Sequence, residues 1–140
     1  GPIILSHLVT PSQRDSTVQR AFAEANAAYY TTVDWALDIR EAEFEEDVDL
    51  RGIPGHLIRR DPKTQVLVMR AKALEGTWRQ LNLEKTYWPT AIEFFLDGGL
   101  NSTVLVAPKK ITNSIANPWK VQDLIDGLQM LRDVGVAEPD

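Results

Sequence analysis

The chain has 140 residues, no cysteine, and 20 acidic against 15 basic residues, which gives a formal net charge of −5. The lack of cysteine excludes disulfides, thiolate nucleophiles and cysteine-ligated metal sites. With 44% hydrophobic residues at this length, the sequence predicts a single globular domain over 1–140 that can bury its own core.

The sequence predicts an intracellular protein with no membrane partner. No apolar run is long enough for a membrane-spanning helix, and no signal peptide is visible. Gly1 and Pro2 resemble the remnant that a tag-cleaving protease leaves. We therefore expect a domain taken from a longer protein.

Charge is segregated along the chain. Residues 1–50 hold three basic and ten acidic residues, six of the acidic ones within 41–49, whereas residues 51–85 hold eight basic and three acidic residues. Separate surfaces of opposite sign steer partners and allow copies of one chain to pair. The charge pattern therefore favours a role in binding.

The first third of the chain predicts a strand followed by two helical pieces. Residues 3–9 form an apolar, partly β-branched run that is typical of a strand. Ser16 and Gln19 have the spacing of a capping box, and apolar residues then recur at helical spacing. The β-branched residues 31–33 predict an interruption, and a second helical piece is expected at 34–44.

The clearest local pattern predicts a central β-hairpin. Asp61 and Pro62 are the residues that a type I turn favours at its first two positions. Residues 56–61 and 65–72 flank this turn, so we expect them to pair in antiparallel fashion. Both faces of this pair are largely apolar near the middle, which places the hairpin at the centre of a sheet.

Three elements are predicted after the hairpin, and one segment remains open. A helix is expected from about residue 87 to the glycine pair that follows residue 97, and 102–107 form an apolar strand. Proline and glycine at its two ends support an amphipathic C-terminal helix over 118–134. The segment 74–85 is either a third strand of a meander or a helix.

The element order predicts an α+β fold with a single mixed sheet, the hairpin 56–61/65–72 at its centre and helices on one face. If 74–85 is helical, the order is that of a ferredoxin-like βαββαβ unit followed by the terminal helix. If 74–85 contains a strand, the order αβββαβ resembles the restriction-endonuclease-like fold. Both are analogies of element order, and a fold does not by itself fix a function.

No catalytic residue, metal site or cofactor is predicted. A nuclease with the restriction-endonuclease-like order needs carboxylate ligands for Mg²⁺ on neighbouring strands. The corresponding positions of this chain hold Arg70, Ala71 and Lys72. A calcium loop beginning at Asp47 fails because Ile58 stands where the final glutamate ligand belongs.

Basic residues of the middle of the chain are the predicted binding residues. They are Arg59, Arg60, Lys63, Arg70, Lys72, Arg79, Lys109 and Lys110. We expect them to contact a protein partner or a second copy, with the acidic segment 41–49 facing the basic segment 51–85. The alternative is nucleic acid, because clustered Lys and Arg neutralise phosphates, although the hairpin lacks the aromatic residues that stack on bases.

The sequence thus predicts a non-catalytic protein-interaction or self-association domain, or alternatively a nucleic-acid-binding module, such as a nuclease-like fold without metal ligands. Replacing Arg70 and Lys72 by Glu is expected to weaken binding at a nearly unchanged melting temperature. At least three of the four tryptophans are expected in the core, with Trp119 partly exposed.

Overall fold

The computed structural model describes residues 3–4, 20–21, 24–25, 28–44, 48–50, 52–108 and 119–139. The strands in this part of the chain are β1 (Ile3–Ile4), β2 (Leu37–Asp38), β3 (Val48–Asp49), β4 (Ile58–Arg59), β5 (Gln65–Met69) and β6 (Ser102–Val106). The α-helices with defined bounds are α1 (Arg70–Glu75), α2 (Trp88–Asp97) and α3 (Val121–Asp133). Two 3-10 helices cover Gly55–Leu57 and Thr77–Gln80. The fold class is α+β, as predicted.

The antiparallel pair β5–β6 is the centre of the fold. Val66 lies opposite Leu105 on one face, and Leu67 lies opposite Val104 on the other. Both strands are apolar on both faces, which is typical of strands that are covered on both sides. On the far side of β5, the chain after α3 continues the sheet, because the Glu138 N–H donates to the Leu67 carbonyl at 2.8 Å.

The helices cover one face of the β5–β6 sheet and form what we call the helix-side cluster. Its buried members are Val66, Val68, Ala73, Trp78, Leu83, Trp88, Ile92, Phe95, Leu105, Ala107, Leu124, Leu128, Leu131, Val136 and Ala137. The two buried indoles also find acceptors: Trp78 Nε1 donates to the Ala73 carbonyl at 2.8 Å, and Trp88 Nε1 donates to the Leu124 carbonyl at 2.9 Å. Burial of these rings therefore leaves no indole N–H unsatisfied.

The opposite face of the sheet packs against the strand-side cluster. Its buried members are Ile39, Leu50, Ile58, Leu67, Val104 and Val106. Strands β2 and β4 supply part of it as a parallel pair, with Leu37 opposite Ile58. Gln65 connects this pair to β5, because its buried Nε2 donates to the Ile39 carbonyl at 3.0 Å.

The predicted hairpin 56–61/65–72 is wrong, although its turn is correct. The Lys63 N–H donates to Asp61 Oδ1 at 3.0 Å, and the Gln65 N–H donates to the Asp61 carbonyl at 2.9 Å. Beyond this turn the two segments separate: β4 pairs with β2, and β5 pairs with β6. The physical reason is that β5 is apolar on both faces and β6 matches it, whereas the segment before the turn is interrupted by charged residues.

The predicted single mixed sheet is likewise not found in the described residues. Three two-stranded pairs take its place: β1–β3, β2–β4 and β5–β6. The first two pairs are parallel and the third is antiparallel. The ferredoxin-like order is not confirmed, since its central antiparallel pair does not form.

The segment after β5 forms helices, so the possible third strand is wrong. Helix α1 begins at Arg70, inside the predicted second hairpin strand, and ends at Glu75. Its C-cap is Gly76, whose φ of 78° is a backbone conformation that glycine adopts without strain. A 3-10 helix over Thr77–Gln80 follows. Because Trp78 lies on this 3-10 helix with only 2% of its surface exposed, burial of its indole fixes the segment in that form. The restriction-endonuclease-like order is therefore wrong. The helical alternative for 74–85 is confirmed in part, because the segment is helical up to Glu75 and again over Thr77–Gln80.

Other elements agree with the sequence. Helix α2 and strand β6 lie where they were predicted, and Gly135 follows α3 with a φ of 77°. Helix α3 covers Val121–Asp133 of the predicted 118–134, with Lys120 at its N-cap, and residue 118 lies outside the described residues. The backbone is helical at 28–30 and turns at 31–32, as expected, but the second helical piece at 34–44 is wrong, because β2 lies there. Pairing with β4 and burial of Ile39 stabilise extended backbone at this point.

Candidate functional site

Arg70 is used inside the fold. Its Nη1 donates to the Gly98 carbonyl at 2.9 Å and approaches the Phe95 carbonyl at 3.5 Å, while its Nη2 donates to the Leu96 carbonyl at 2.7 Å. Phe95 and Leu96 lie in the last turn of α2 and Gly98 is its C-cap, a region where carbonyls lack the N–H donor that the next turn of a helix would supply. A cation at a helix C-terminus is also favoured by the helix dipole. Arg70 therefore caps α2.

Lys72 and Arg79 each have an acidic neighbour. Lys72 Nζ lies 3.5 Å from Glu75 Oε1 within α1. Arg79 Nη1 lies 3.1 Å from Glu93 Oε1 on α2, and its guanidinium is stacked on the Trp78 ring at 4.3 Å from the ring centroid. All four charged side chains are more than half exposed, so these pairs contribute little to stability.

The remaining predicted binding residues are spread over other places. Lys63 is exposed in the turn before β5, and Arg60 is half-buried after β4. Lys109 and Lys110 lie outside the described residues. Arg70 and Arg79 thus both contact α2. Arg59, at the end of β4, contacts an exposed aromatic ring instead.

Arg59 belongs to a compact surface on the β2–β4 pair. Its guanidinium lies 4.8 Å from the centroid of the Trp35 ring, within the range of a cation–π contact. Trp35 is 47% exposed, one of the few large apolar side chains in the described chain that face solvent. The strand register places Asp38 opposite Arg59. We call the surface formed by Trp35, Asp38, Arg40, Glu41 and Arg59 the Trp35–Arg59 patch.

Asp38 and Arg40 form a rigid ion pair inside this patch. Arg40 Nη2 donates to Asp38 Oδ2 at 2.7 Å and Nε donates to Oδ1 at 3.0 Å, while the Arg40 N–H donates to Oδ1 at 3.2 Å. These bonds, chiefly those from the guanidinium, lower the pKa of Asp38 from 3.8 to about 2, and the Asp38 carboxylate raises the pKa of Arg40. The two-point geometry fixes both side chains.

Two carboxylates of the predicted acidic segment lie next to this ion pair in the chain. Ala42 and Phe44 pack against the strand-side cluster, and Glu41 and Glu43 alternate with them and are exposed. Glu41 is close enough to raise the pKa of Arg40. The remaining acidic residues of 41–49 are outside the described residues, apart from Asp49 in β3.

Among the described residues, no ion pair or hydrogen bond occupies the charged ends of Arg59, Glu41 or Glu43. Arg59 contacts the Trp35 ring, and its charge also helps to lower the pKa of Asp38, although the two side chains form no ion pair. The patch therefore combines the Asp38–Arg40 pair with the exposed side chains of Arg59 and Glu41, and the exposed Glu43 lies two residues further along the chain.

A serine–histidine contact is present elsewhere, but its geometry is structural. His56 Nδ1 lies 3.2 Å from Ser102 Oγ, and the His56 N–H donates to the same oxygen at 3.1 Å. Ser102 is only 1% exposed at the start of β6, so its hydroxyl cannot reach an external substrate. The contact ties the 3-10 helix at Gly55–Leu57 to β6. No group of acidic and histidine side chains within the described residues has the geometry of a metal site.

Sequence reasoning missed the exposure of Trp35. Trp78 and Trp88 are buried, and Trp119 is half-buried against the helix-side cluster, as expected. Trp35 differs because it precedes a two-residue strand at the margin of the fold. Val33, Ala36 and Leu37 around it are apolar, so no local sequence signal indicated its exposure, and the predicted helix over 34–44 was wrong.

In the described part of the chain, no helix combines the length and the apolar character that a membrane crossing requires. No protein-family model, no curated protein and no solved structure matches this chain.

Proposed function

We propose that this protein is a non-catalytic protein-interaction domain that binds its partner through the Trp35–Arg59 patch. The observation that carries the proposal is the half-exposed Trp35 ring beneath the guanidinium of Arg59. Tryptophan and arginine are the residue types most enriched at the energetic centres of protein interfaces. The proposal retains a charge-polarised surface and places its centre on β2–β4.

The patch is organised before any partner arrives. The Asp38–Arg40 pair is held at two points, and Arg59 is supported by the Trp35 ring. Fixing a long, flexible side chain during association costs about 0.5–1.5 kcal/mol. Side chains that are already ordered avoid part of this cost, which favours binding at this surface.

Nucleic acid is the second candidate, and the same ring supports it. An exposed indole beside a guanidinium can stack on an unpaired base, a feature that the predicted hairpin lacked. However, Asp38, Glu41 and Glu43 follow Trp35 within eight residues of the sequence, and their carboxylates repel phosphates. The charge of the patch therefore favours a protein partner.

The test compares two double variants of similar chemistry. Trp35→Ala with Arg59→Ala removes the centre of the patch, whereas Leu74→Ala with Lys72→Ala removes an exposed apolar residue and an exposed cation from α1. Each variant is fused to a proximity-labelling enzyme, and the proteins that become labelled are identified. We expect the first variant to lose specific labelled proteins that the second variant retains. Equal labelling by both variants would contradict the proposal.

A separate measurement addresses nucleic acid. Fluorescein-labelled single-stranded DNA and RNA are titrated with the wild-type protein at low salt, on the order of 0.05 M, where phosphate contacts are strongest. We expect no rise in anisotropy. A rise that falls steeply with added salt and disappears in the Trp35→Ala variant would support the second candidate and overturn the first.

A further inference from the structure

Resting on the proposed function, we infer that the occupant of the Trp35–Arg59 patch is the same patch of a second copy of this chain, in a two-fold symmetric dimer. In such a dimer one surface meets itself, so every cation on it must find an anion on the same surface of the partner. A patch that carries only one sign of charge fails this condition.

The charges of this patch satisfy the condition. The Asp38–Arg40 pair is internally neutral, with a shortest N–O distance of 2.7 Å. What remains in the patch is the cation of Arg59 and the carboxylate of Glu41, and Glu43 adds a carboxylate two residues further along the chain; all three side chains are exposed and form no ion pair in the described chain. A two-fold axis through the patch brings Arg59 of each copy to the carboxylates of the other.

Two contacts keep Arg59 from forming an ion pair within its own subunit. Arg59 lies opposite Asp38 on β2, but the guanidinium is directed to the Trp35 ring, and Arg40 holds the Asp38 carboxylate. Glu41 lies within the turn that the Ala42 N–H closes on the Ile39 carbonyl at 3.1 Å, and Glu43 follows this turn. Within the described residues, Arg59, Glu41 and Glu43 thus form no ion pair, although Arg59 acts on Asp38 and Glu41 acts on Arg40 through their charges.

Trp35 supplies the apolar centre that charge alone cannot. Exposed ion pairs contribute only about 0–1 kcal/mol each in water, so a dimer held by them alone would not form. Two Trp35 rings on either side of a two-fold axis exclude water from the pairs around them, which strengthens the pairs.

The experiment is a charge-exchange test by sedimentation equilibrium. The wild-type protein is expected to dimerise at low salt and to dissociate as ionic strength rises beyond about 0.1 M, where the screening length is about 10 Å. Arg59→Glu alone, and Glu41→Arg with Glu43→Arg, are each expected to weaken the dimer by about tenfold or more, since like charges then meet.

The decisive arm is the equimolar mixture of these two variants. In the heterodimer, the new glutamate of one copy meets the two new arginines of the other, and the unchanged Arg59 of the second copy meets the unchanged Glu41 and Glu43 of the first. Both contacts then carry opposite charges, so we expect a heterodimer that is clearly stronger than the homodimer of either variant. Lys72→Glu and Glu84→Arg, exposed exchanges away from the patch, are the matched controls and are expected to leave the dimer unchanged.

The outcomes separate this inference from the proposed function. A wild-type protein that stays monomeric at low salt, or a mixture that shows no recovery, overturns the symmetric dimer. Proximity labelling then still decides whether a different protein occupies the patch. A dimer that is equally weakened by the control variants overturns the assignment of the interface to this surface.

Discussion

The two faces of the β5–β6 sheet are covered in different ways. The helix-side cluster has fifteen buried members, which come from β5 and β6, from the helices packed on them and from the segments between and after these helices, whereas the strand-side cluster has six buried members. The first is stabilised by apolar area. The second depends on a few specific contacts, those of Gly55 and Gln65 above all. We therefore expect the strand side, which carries the Trp35–Arg59 patch, to open locally before the helix side does.

Among the variants that test this difference between the two faces, Gly55→Ala is expected to lose the most stability. A Cβ at Gly55 would lie 2.7 Å from the backbone N, Cα and C atoms of Thr103 in β6, and backbone atoms cannot move aside cheaply. We expect the free energy of unfolding to fall by about 3 kcal/mol in urea denaturation. The matched control is Gly99→Ala, since a Cβ there meets nothing within 4 Å. Similar losses in the two variants would show that the close approach at Thr103 is not important.

On the helix side, Arg70→Met is expected to lower the free energy of unfolding by a smaller amount. The variant keeps most of the aliphatic stem but removes the donors to the Leu96 and Gly98 carbonyls at the end of α2. Loss of charge-assisted hydrogen bonds of this kind costs about 2 kcal/mol. Lys72→Met, two residues away and exposed, is expected to change stability by about 0.5 kcal/mol at most.

The Arg70 measurement also corrects an expectation from the sequence. Exchange of Arg70 together with Lys72 for Glu will not leave the melting temperature nearly unchanged, because the capping contacts are lost and a carboxylate faces helix carbonyls. A melting temperature equal to that of the wild-type protein would contradict the capping role.

Gln65→Leu is expected to loosen the strand side selectively. The side chain accepts from the Asp61 N–H at 2.7 Å and donates to the Ile39 carbonyl at 3.0 Å, so leucine leaves both backbone groups without a partner. We expect a loss of about 1–3 kcal/mol. In hydrogen exchange, the Asp61 amide should exchange faster while amides in the middle of α3 change little below global unfolding. A uniform change on both faces would contradict separate local stabilities.

The smallest effect concerns pH. The pKa of Asp38 is lowered to about 2 by Arg40, so the carboxylate stabilises the folded state at pH values above its unfolded pKa, and this contribution is lost as pH falls from about 4 through 2. Comparison of the wild-type protein with Asp38→Asn between these pH values should show a small difference that disappears in acid. A difference that grows on acidification would have the wrong sign.

Elements with local signals could be predicted from the sequence. Helix α2 has proline in its first turn, and α3 combines an apolar stripe with a glycine just beyond its end. The turn at Asp61 was predicted for a similar reason, since its side chain bonds to the backbone two residues on. Such patterns are contained in a few consecutive residues.

The partners of the strands could not be predicted. The choice of β6 over β4 as the partner of β5 depends on residues that are far apart in sequence, and a plausible turn favoured the wrong pairing. The role of Arg70 was hidden for the same reason, because its acceptors lie 26 and 28 residues away and are backbone carbonyls. Charge alone suggested a binding residue.

The candidate surface could be predicted only in part. The basic set included Arg59, but its neighbour Trp35 was assigned to a helix. Whether a tryptophan is buried depends on what packs over it, and two residues of extended chain give no periodicity from which exposure can be judged.

The covering of β5 on both edges has a consequence for aggregation. Five consecutive residues of high β-propensity, Gln65–Met69, would act as a template for fibril growth if one edge were bare. β6 occupies one edge, and the segment after α3 occupies the other through the bridge between Val68 and Ala137 and the bond from the Glu138 N–H. A protease that trims this segment would expose the edge, so the short stretch after α3 protects the protein against intermolecular β-sheet formation.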